Sequence, residues 1–353
     1  MGEACTASIV CVPVDLAVAV ADDDHVNVFS SADYLACVAE AYFPGRRYAL
    51  TDYAVVGQTF RLLRIPRAGL KQERVVTWVP FMDFLEPIAG TIAGSLANTK
   101  GGPSYLPLVS HGRVTAPEWH ATPHPPELQA SPLIDFTLFQ TWEAFVTHSR
   151  STAHPGFRSQ RARQLRKLQE KHGVEFRWHD EDPAALKQLI AWKSQQYQEA
   201  GYVDGFQSRA LVRLFELLCD RSKLIVTTMR VGGEIVSGHA GMEHDGRFYY
   251  WLPAYAKSWG KEGVGSMMIE WMIEASYQKK HREFDFLLGN EPYKWGYATH
   301  TRLIGSLGDE PLVQRVWKPL RAALMQRVRK HERAYGELQA LKRKASAILL
   351  RRS

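Results

Sequence analysis

Cysteine is scarce in this chain: Cys5, Cys11, Cys37 and Cys219 are spread over 353 positions, and none stands in a C-x-x-C or other metal-ligand spacing. That argues against a disulfide-stapled fold and against a metal site, and it fits reduced thiols in a cytosol. No run of 18 apolar residues occurs, so no membrane-spanning helix is expected. Met1 to Asp24 lacks a basic segment, and its apolar run is broken by Pro13 and Asp15, so no secretion signal is expected. The G-x-S-x-G turn of serine hydrolases is missing. So is a G-x-G-x-x-G turn near the chain start with an acidic residue about 20 positions on, the pattern that dinucleotide binding wants. No internal repeat is visible as residue identity.

What is present suits a globular protein long enough for two domains, with 45% hydrophobic and 23% charged residues. The charge is unevenly placed. Of the net +7, residues 312–353 carry 12 Lys or Arg against Glu332 and Glu337, a local +10, which leaves 32 basic and 35 acidic residues elsewhere, or −3. In that tail Val313, Trp317, Leu320, Leu324, Val328, His331, Tyr335, Leu338, Leu341, Ala345 and Ile348 recur every three or four residues, the stripe of a helix over about 312–350. Pro319 and Gly336 weaken it. With its cations on the other faces, such a helix either lies on an anionic membrane or packs its stripe on the protein body, and contact with RNA is a third reading.

Along the chain, a strand is expected at 7–20, a helix starting at Ser31 and running through Tyr42 with Ser30 or Ser31 as its cap, and strands near 47–56, 60–66 and 74–80. Residues 100–132 are rich in Gly, Pro and Ser and read as a domain junction or a substrate-facing loop. Then come a helix near 140–149, a basic helix FRSQRARQLRKLQEKHG ended by Gly173, a strand at 174–179, and helices at 183–199 and 208–221. Strands at 223–230 and 234–243 are joined by the hairpin pair Gly232-Gly233.

The most informative stretch is 247–298. An aromatic strand, Phe248 to Trp251, leads to a turn containing Gly260, Gly263 and Gly265, then to a helix with Met267, Met268, Trp271, Met272 and Ala275 on one face, then to a strand at Glu283–Leu288. Glycines let backbone N–H groups approach a ligand, and the helix start adds partial positive charge, so this turn suits a phosphate or pyrophosphate. The sequence FDFLLGNEPYKWG follows, with Asp285, Phe286, Gly289, Glu291, Tyr293 and Lys294 at tight spacing. It resembles the DF-L-x-G-x-E-x-YK signature of a bacterial branch of GNAT acyltransferases similar to acetyltransferases of cellulose and exopolysaccharide clusters, more distantly related to the Fem peptidyltransferases. In the GNAT phosphate turn, (Q/R)-x-x-G-x-G/A, Gly260 stands here where the cationic or amide side chain is usual, with Lys261 beside it.

The resemblance extends over about residues 150–305 and implies an α/β (α+β) fold of two tandem GNAT-like domains, each with a mixed, mostly antiparallel sheet flanked by helices. The expected division is 1–135 for a degenerate N-terminal domain, 136–310 for the domain with the acyl-CoA site, and 311–353 for the basic tail. It implies an acyl-CoA-dependent N-acyltransferase, an acetyltransferase in the first instance, that uses no metal and takes an amino sugar or lipid-linked sugar as acceptor. The protein is then cytoplasmic or peripheral on the inner membrane face. A Fem-like transfer from aminoacyl-tRNA and a non-catalytic binding module are the alternatives. In a GNAT reaction the acceptor attacks the thioester directly, so positioning, a base and an acid carry the chemistry.

On that pattern Tyr293 is the expected acid, with a packed aromatic as its other reading, and Glu291 the expected base, with a cap of the following helix as the other reading of Glu291. Asp285, in an apolar strand, serves either the chemistry or an ion pair. His239 is a second candidate for the catalytic group, with a satisfied core histidine as the other reading. Gly260, Lys261, Gly263, Val264, Gly265 and Ser266 are expected to bind the donor. Lys294, Glu243, Trp192 and Tyr197 are expected on the acceptor side, the last two within a stretch Trp192, Lys193, Tyr197, Gly201, Phe206 that resembles a W-x-x-x-G region of the family. Arg158, Arg161, Arg163, Arg166 and Lys167 form a basic face that either meets a nucleotide phosphate, an acidic glycan or a lipid-linked diphosphate, or faces water.

Overall fold

The computed structural model describes residues 10–12, 27–66, 73–88, 102–152 and 157–310. The tail helix expected at 312–350 and most of the strand expected at 7–20 lie outside them. The elements in chain order are β1 (Val10–Val12), α1 (Ala32–Tyr42), β2 (Tyr48–Val55), β3 (Gln58–Pro66), β4 (Glu73–Val76), β5 (Tyr105–Thr115), α2 (Ala116–Ala121), β6 (Gln129–Asp135), α3 (Trp142–Thr152) and α4 (Phe157–His172). They continue with β7 (Val174–Arg177), α5 (Pro183–Glu199), α6 (Arg209–Asp220), β8 (Ile225–Val231), β9 (Glu234–His244), β10 (Arg247–Tyr255), α7 (Val264–Gln278), β11 (Glu283–Asp285), α8 (Pro292–Trp295) and β12 (His300–Gly308). This is the mixed α/β class that the sequence implies. Among the described residues no helix is long and apolar enough to cross a membrane.

The chain forms two compact units, and neither is continuous in sequence. The first takes the described residues up to Val109, Tyr197–Leu217, and those from Gly305; the second takes Ser110–Gln196 and Leu218–Ile304. In the first unit β1-β2-β3-β4 form an antiparallel sheet. Of the two candidate caps, Ser31 is the one that caps α1, accepting from the Tyr34 N–H. Most of α6, expected in the second domain, belongs here. The reason is its apolar face: Leu211, Leu214 and Phe215 are buried, and the rings of Phe206 and Phe215 pack against Phe81 at 5.1 and 6.0 Å.

In the sheet that builds the second unit, the strand order is β5-β12-β6-β11-β10-β9-β8-β7. Residues 110–135, expected in the N-terminal domain, lie in this unit. The stretch 100–132, expected to be irregular, contains β5 and the start of β6. Its prolines mislead because Pro107 sits on an edge strand, where a missing N–H is tolerated. Pro132, inside the sheet, still accepts from the Phe286 N–H through its carbonyl. On one face α7 buries Val264, Met267, Met268 and Met272 against Phe248, Tyr250, Phe284, Phe286 and Ile134. Each such side chain removed from water stabilises the fold by roughly 1.5–3 kcal/mol, so α7 and the strand ends that flank it are held firmly.

Candidate functional site

The site begins where two parallel strands part. β10 and β11 pair over three positions, Arg247 with Glu283, Phe248 with Phe284, and Tyr249 with Asp285. Beyond Tyr249 the β10–β9 register shifts before Leu252. The chain after Asp285 leaves the sheet through Leu287 at φ 59° and Gly289 at φ 131°. The last half of β10 has therefore lost its β11 neighbour, and the backbone groups on that edge need other partners. One side chain supplies such a partner: Lys193 Nζ, carried by α5, donates to the Pro253 carbonyl at 3.1 Å. At the register shift with β9, the Trp251 N–H donates to Nε2 of His239 of that strand at 2.8 Å. Pro253 has no N–H to leave unpaired, which suits an open edge.

At the far end of β10 the chain enters the glycine turn. Gly263, the N-cap of α7, is left-handed at φ 73°, a conformation that favours glycine. The N–H groups of Gly260, Gly263 and Ser266 are spent within the turn, on the carbonyls of Lys257, Gly260 and Gly263. Val264 and Gly265, in the first turn of the helix, keep N–H groups with no intrahelical acceptor. A Cβ on Gly265 would stand 3.1 Å from the Tyr255 ring. Arg161 of α4 reaches over the turn and donates to the Gly263 carbonyl at 3.2 Å, and Gln164 also approaches Gly263. Burial lowers the Arg161 pKa while Glu270 and Tyr297 oppose it, and an arginine stays charged regardless. A guanidinium and an amide from α4 thus stand beside the glycine turn, in which Gly260 carries no side chain.

Against protein families, residues 155–295 match the acetyltransferase (GNAT) domain. Residues 155–295 thus carry a GNAT acetyltransferase domain. The match supports an acyltransferase, and the glycine turn and the parted strands lie within it. No curated protein sequence matches the chain. Among solved structures it is similar to FemX, with a TM-score of 0.51 at 8% identity, covering 82% of this chain and 94% of that one; at such identity the likeness is one of fold. Weaker likenesses are to L-PGS from Bacillus licheniformis (TM-score 0.43, 10% identity, 80% of this chain and 89% of that one). Another is a tandem GNAT protein from the clavulanic acid biosynthesis pathway (0.34, 12% identity, 79% and 95%).

Within the GNAT domain the signature residues have separate fates. Asp285 is fully buried, ion-paired with Arg302 at 2.6 Å, and accepts from the Leu287 N–H and the Ser131 hydroxyl. This is the ion-pair reading, and it leaves the carboxylate sealed from any substrate. Lys294, expected to meet the acceptor, is buried and donates to the carbonyls of Leu287 and Leu288 and pairs with Glu291 at 2.8 Å, so it fastens the turn after β11. Glu291 is half-exposed and occupies the N-cap position of α8 without a capping hydrogen bond from its side chain. Tyr293 is 38% exposed; what burial it has raises its pKa, and Glu291 raises it further. It remains available as the acid.

Other expected residues lie elsewhere. His239 is fully buried and stacked on Tyr250 at 4.4 Å, and its Nε2 is engaged by Trp251, so the neutral ring carries its proton on Nδ1. Burial, then Lys193, holds its pKa well below the usual value, and the Trp251 N–H occupies the ring nitrogen that could take a proton, which removes it as a base. Glu243 accepts from Trp178 Nε1 at 3.2 Å and pairs with His281 at 3.3 Å. It stands opposite Phe248, five positions before Pro253, which is roughly 16 Å of strand away from the open edge. Trp192 is half-buried on α5. Tyr197 belongs to the first unit, where it stacks with Phe206. Among the described residues no group of His, Cys, Asp and Glu is arranged to hold a metal.

Two residues at the open edge were not singled out by pattern. Lys193 is named in the sequence only as a neighbour of Trp192. Tyr250 reads as one more aromatic in a strand, yet Tyr293, Tyr297 and Glu291 act on its hydroxyl, which burial already makes a weaker acid. A lysine on the inward side of an amphipathic helix is the one signal that would have found Lys193.

Proposed function

We propose that the chain is an acyl-CoA-dependent N-acyltransferase, an acetyltransferase in the first instance, whose acceptor is the amine of an amino sugar or a related precursor of a cell-surface polysaccharide. The observation that supports it is the joining, within a GNAT domain, of a helix start bearing two open N–H groups to a strand edge freed by the departure of β11. The residues fit such a donor. Val264 and Gly265 would meet the pyrophosphate of CoA through their backbone, Gly265 carries no side chain to cover those donors, and Arg161 adds charge nearby. The acyl group would then lie along the open edge of β10, where Tyr293 protonates the departing thiolate. The amino-sugar acceptor rests on the signature from Asp285 to Lys294.

Calorimetry with CoA and release of free thiol from acetyl-CoA, measured over a panel of free and nucleotide-linked amino sugars, test the reading. Thiol release that requires an amino sugar is the expected result. Transfer only from charged tRNA would favour a Fem-like peptidyltransferase, and CoA binding without turnover on any amine would favour a binding module.

A further inference from the structure

The acyl-transfer reading needs a group that removes a proton from the acceptor's ammonium, and the geometry eliminates most candidates. Asp285 is spent on Arg302, His239 on the Trp251 N–H, and Glu243 on Trp178 and His281. Glu291 is half-exposed and tied to Lys294. What the open edge of β10 does present is the Lys193 amine, delivered from α5 and hydrogen-bonded to the Pro253 carbonyl beyond the register shift.

We propose that Lys193 is the catalytic base of the transfer, its Nζ receiving the proton that the acceptor ammonium gives up before its nitrogen attacks the thioester carbonyl. This rests on the acyl-transfer reading. A neutral lysine amine can keep its N–H on the Pro253 carbonyl while offering a lone pair, and the groups that act on it favour that state in balance. Burial lowers its pKa, Glu291 raises it and Lys294 lowers it again. The step balances. The acceptor R–NH3⁺ loses one proton to Nζ, the C–N bond forms as the C–S bond breaks, the second proton goes to the thiolate by way of Tyr293, and the third stays on the amide. The Lys193 ammonium then returns its proton to water.

Lys193→Arg and Lys193→Gln, compared with the wild type, test this. Arginine keeps the hydrogen bond and the charge but cannot give up its proton at working pH, so it separates a base from an anchor. Both variants are expected to bind CoA with nearly unchanged affinity by calorimetry and to lose about 10²-fold in kcat for acetyl transfer to an amino sugar. The acidic limb of the wild-type kcat/KM profile is expected to vanish from the residual rate. Wild-type turnover in a folded Lys193→Arg protein, or an acidic limb that stays in place in both variants, would overturn the role of Lys193 alone. A wild-type protein that neither binds CoA nor releases thiol would instead remove the acyl-transfer reading, and this base with it.

Discussion

Lys193, Lys294 and Arg302 are cations of one domain whose uses differ because of what each can reach. Arg302 meets two buried carboxylates and becomes structure, Lys294 finds the carbonyls that a sharp turn leaves unpaired, and Lys193 ends on a strand edge that faces the site. A glycine can matter as much as a charge here. Gly265 lies close beside the Tyr255 ring, and a valine there would bring its Cβ to 3.1 Å from that ring and force the ring or the turn with its two open N–H groups to shift. Gly265→Val is therefore expected to raise the Kd for CoA about tenfold or more, roughly 1.4 kcal/mol, with a cooperative unfolding transition retained. Unchanged affinity by calorimetry would remove this turn from donor binding.

At the scale of elements, β11 is only three residues long, and side chains rather than strand length hold it. Arg302 of β12 pairs with both Glu283 and Asp285, while Arg247 of β10 and Arg113 of β5 also reach Glu283. Burial pushes the Glu283 carboxyl up, but Arg302, Arg247 and Arg113 together pull it further down, so its pKa lies below the ordinary value. A carboxyl depressed by folding stabilises the protein above its unfolded pKa of about 4.3, and that stability is lost as pH falls through the folded value. Arg302→Met leaves two buried carboxylates short of their partner and is expected to cost about 3–5 kcal/mol at pH 7. The gap from the wild type should narrow below about pH 4, where the carboxylates take up protons. Urea unfolding at both pH values measures it, and a gap of equal size at each would show that the cluster contributes packing rather than charge.

For the whole molecule, the interleaving of the units means that neither can be cut out as one segment: Tyr197–Leu217 serves the first unit between two stretches of the second. We further propose peripheral attachment to anionic membrane through residues 312–353, on the strength of their 12 cations and helical apolar stripe. Near such a surface each cation contributes about 1 kcal/mol. Co-sedimentation with vesicles containing anionic lipid should be strong at low salt for the full chain and lost when the chain ends at residue 310. Equal sedimentation of both, or none, would assign the stripe to packing on the protein.

The sequence alone determined what depends on near neighbours: the Ser31 cap, the Gly232-Gly233 hairpin, the run of β8, β9 and β10, and the glycine turn into α7, because capping, turn conformation and apolar period are set within a few residues. The signature from Asp285 to Lys294 likewise pointed to the right fold. Which of its charges remain free was decided only in three dimensions. Asp285 is silenced by Arg302, 17 positions away, and Lys193 is brought from α5 to a carbonyl 60 positions further on. Likewise α6 shows an apolar face in the sequence, but nothing in that face says which core it enters. Desolvation and ion pairing act through space, so a charged residue's role follows from the partner that folding delivers to it.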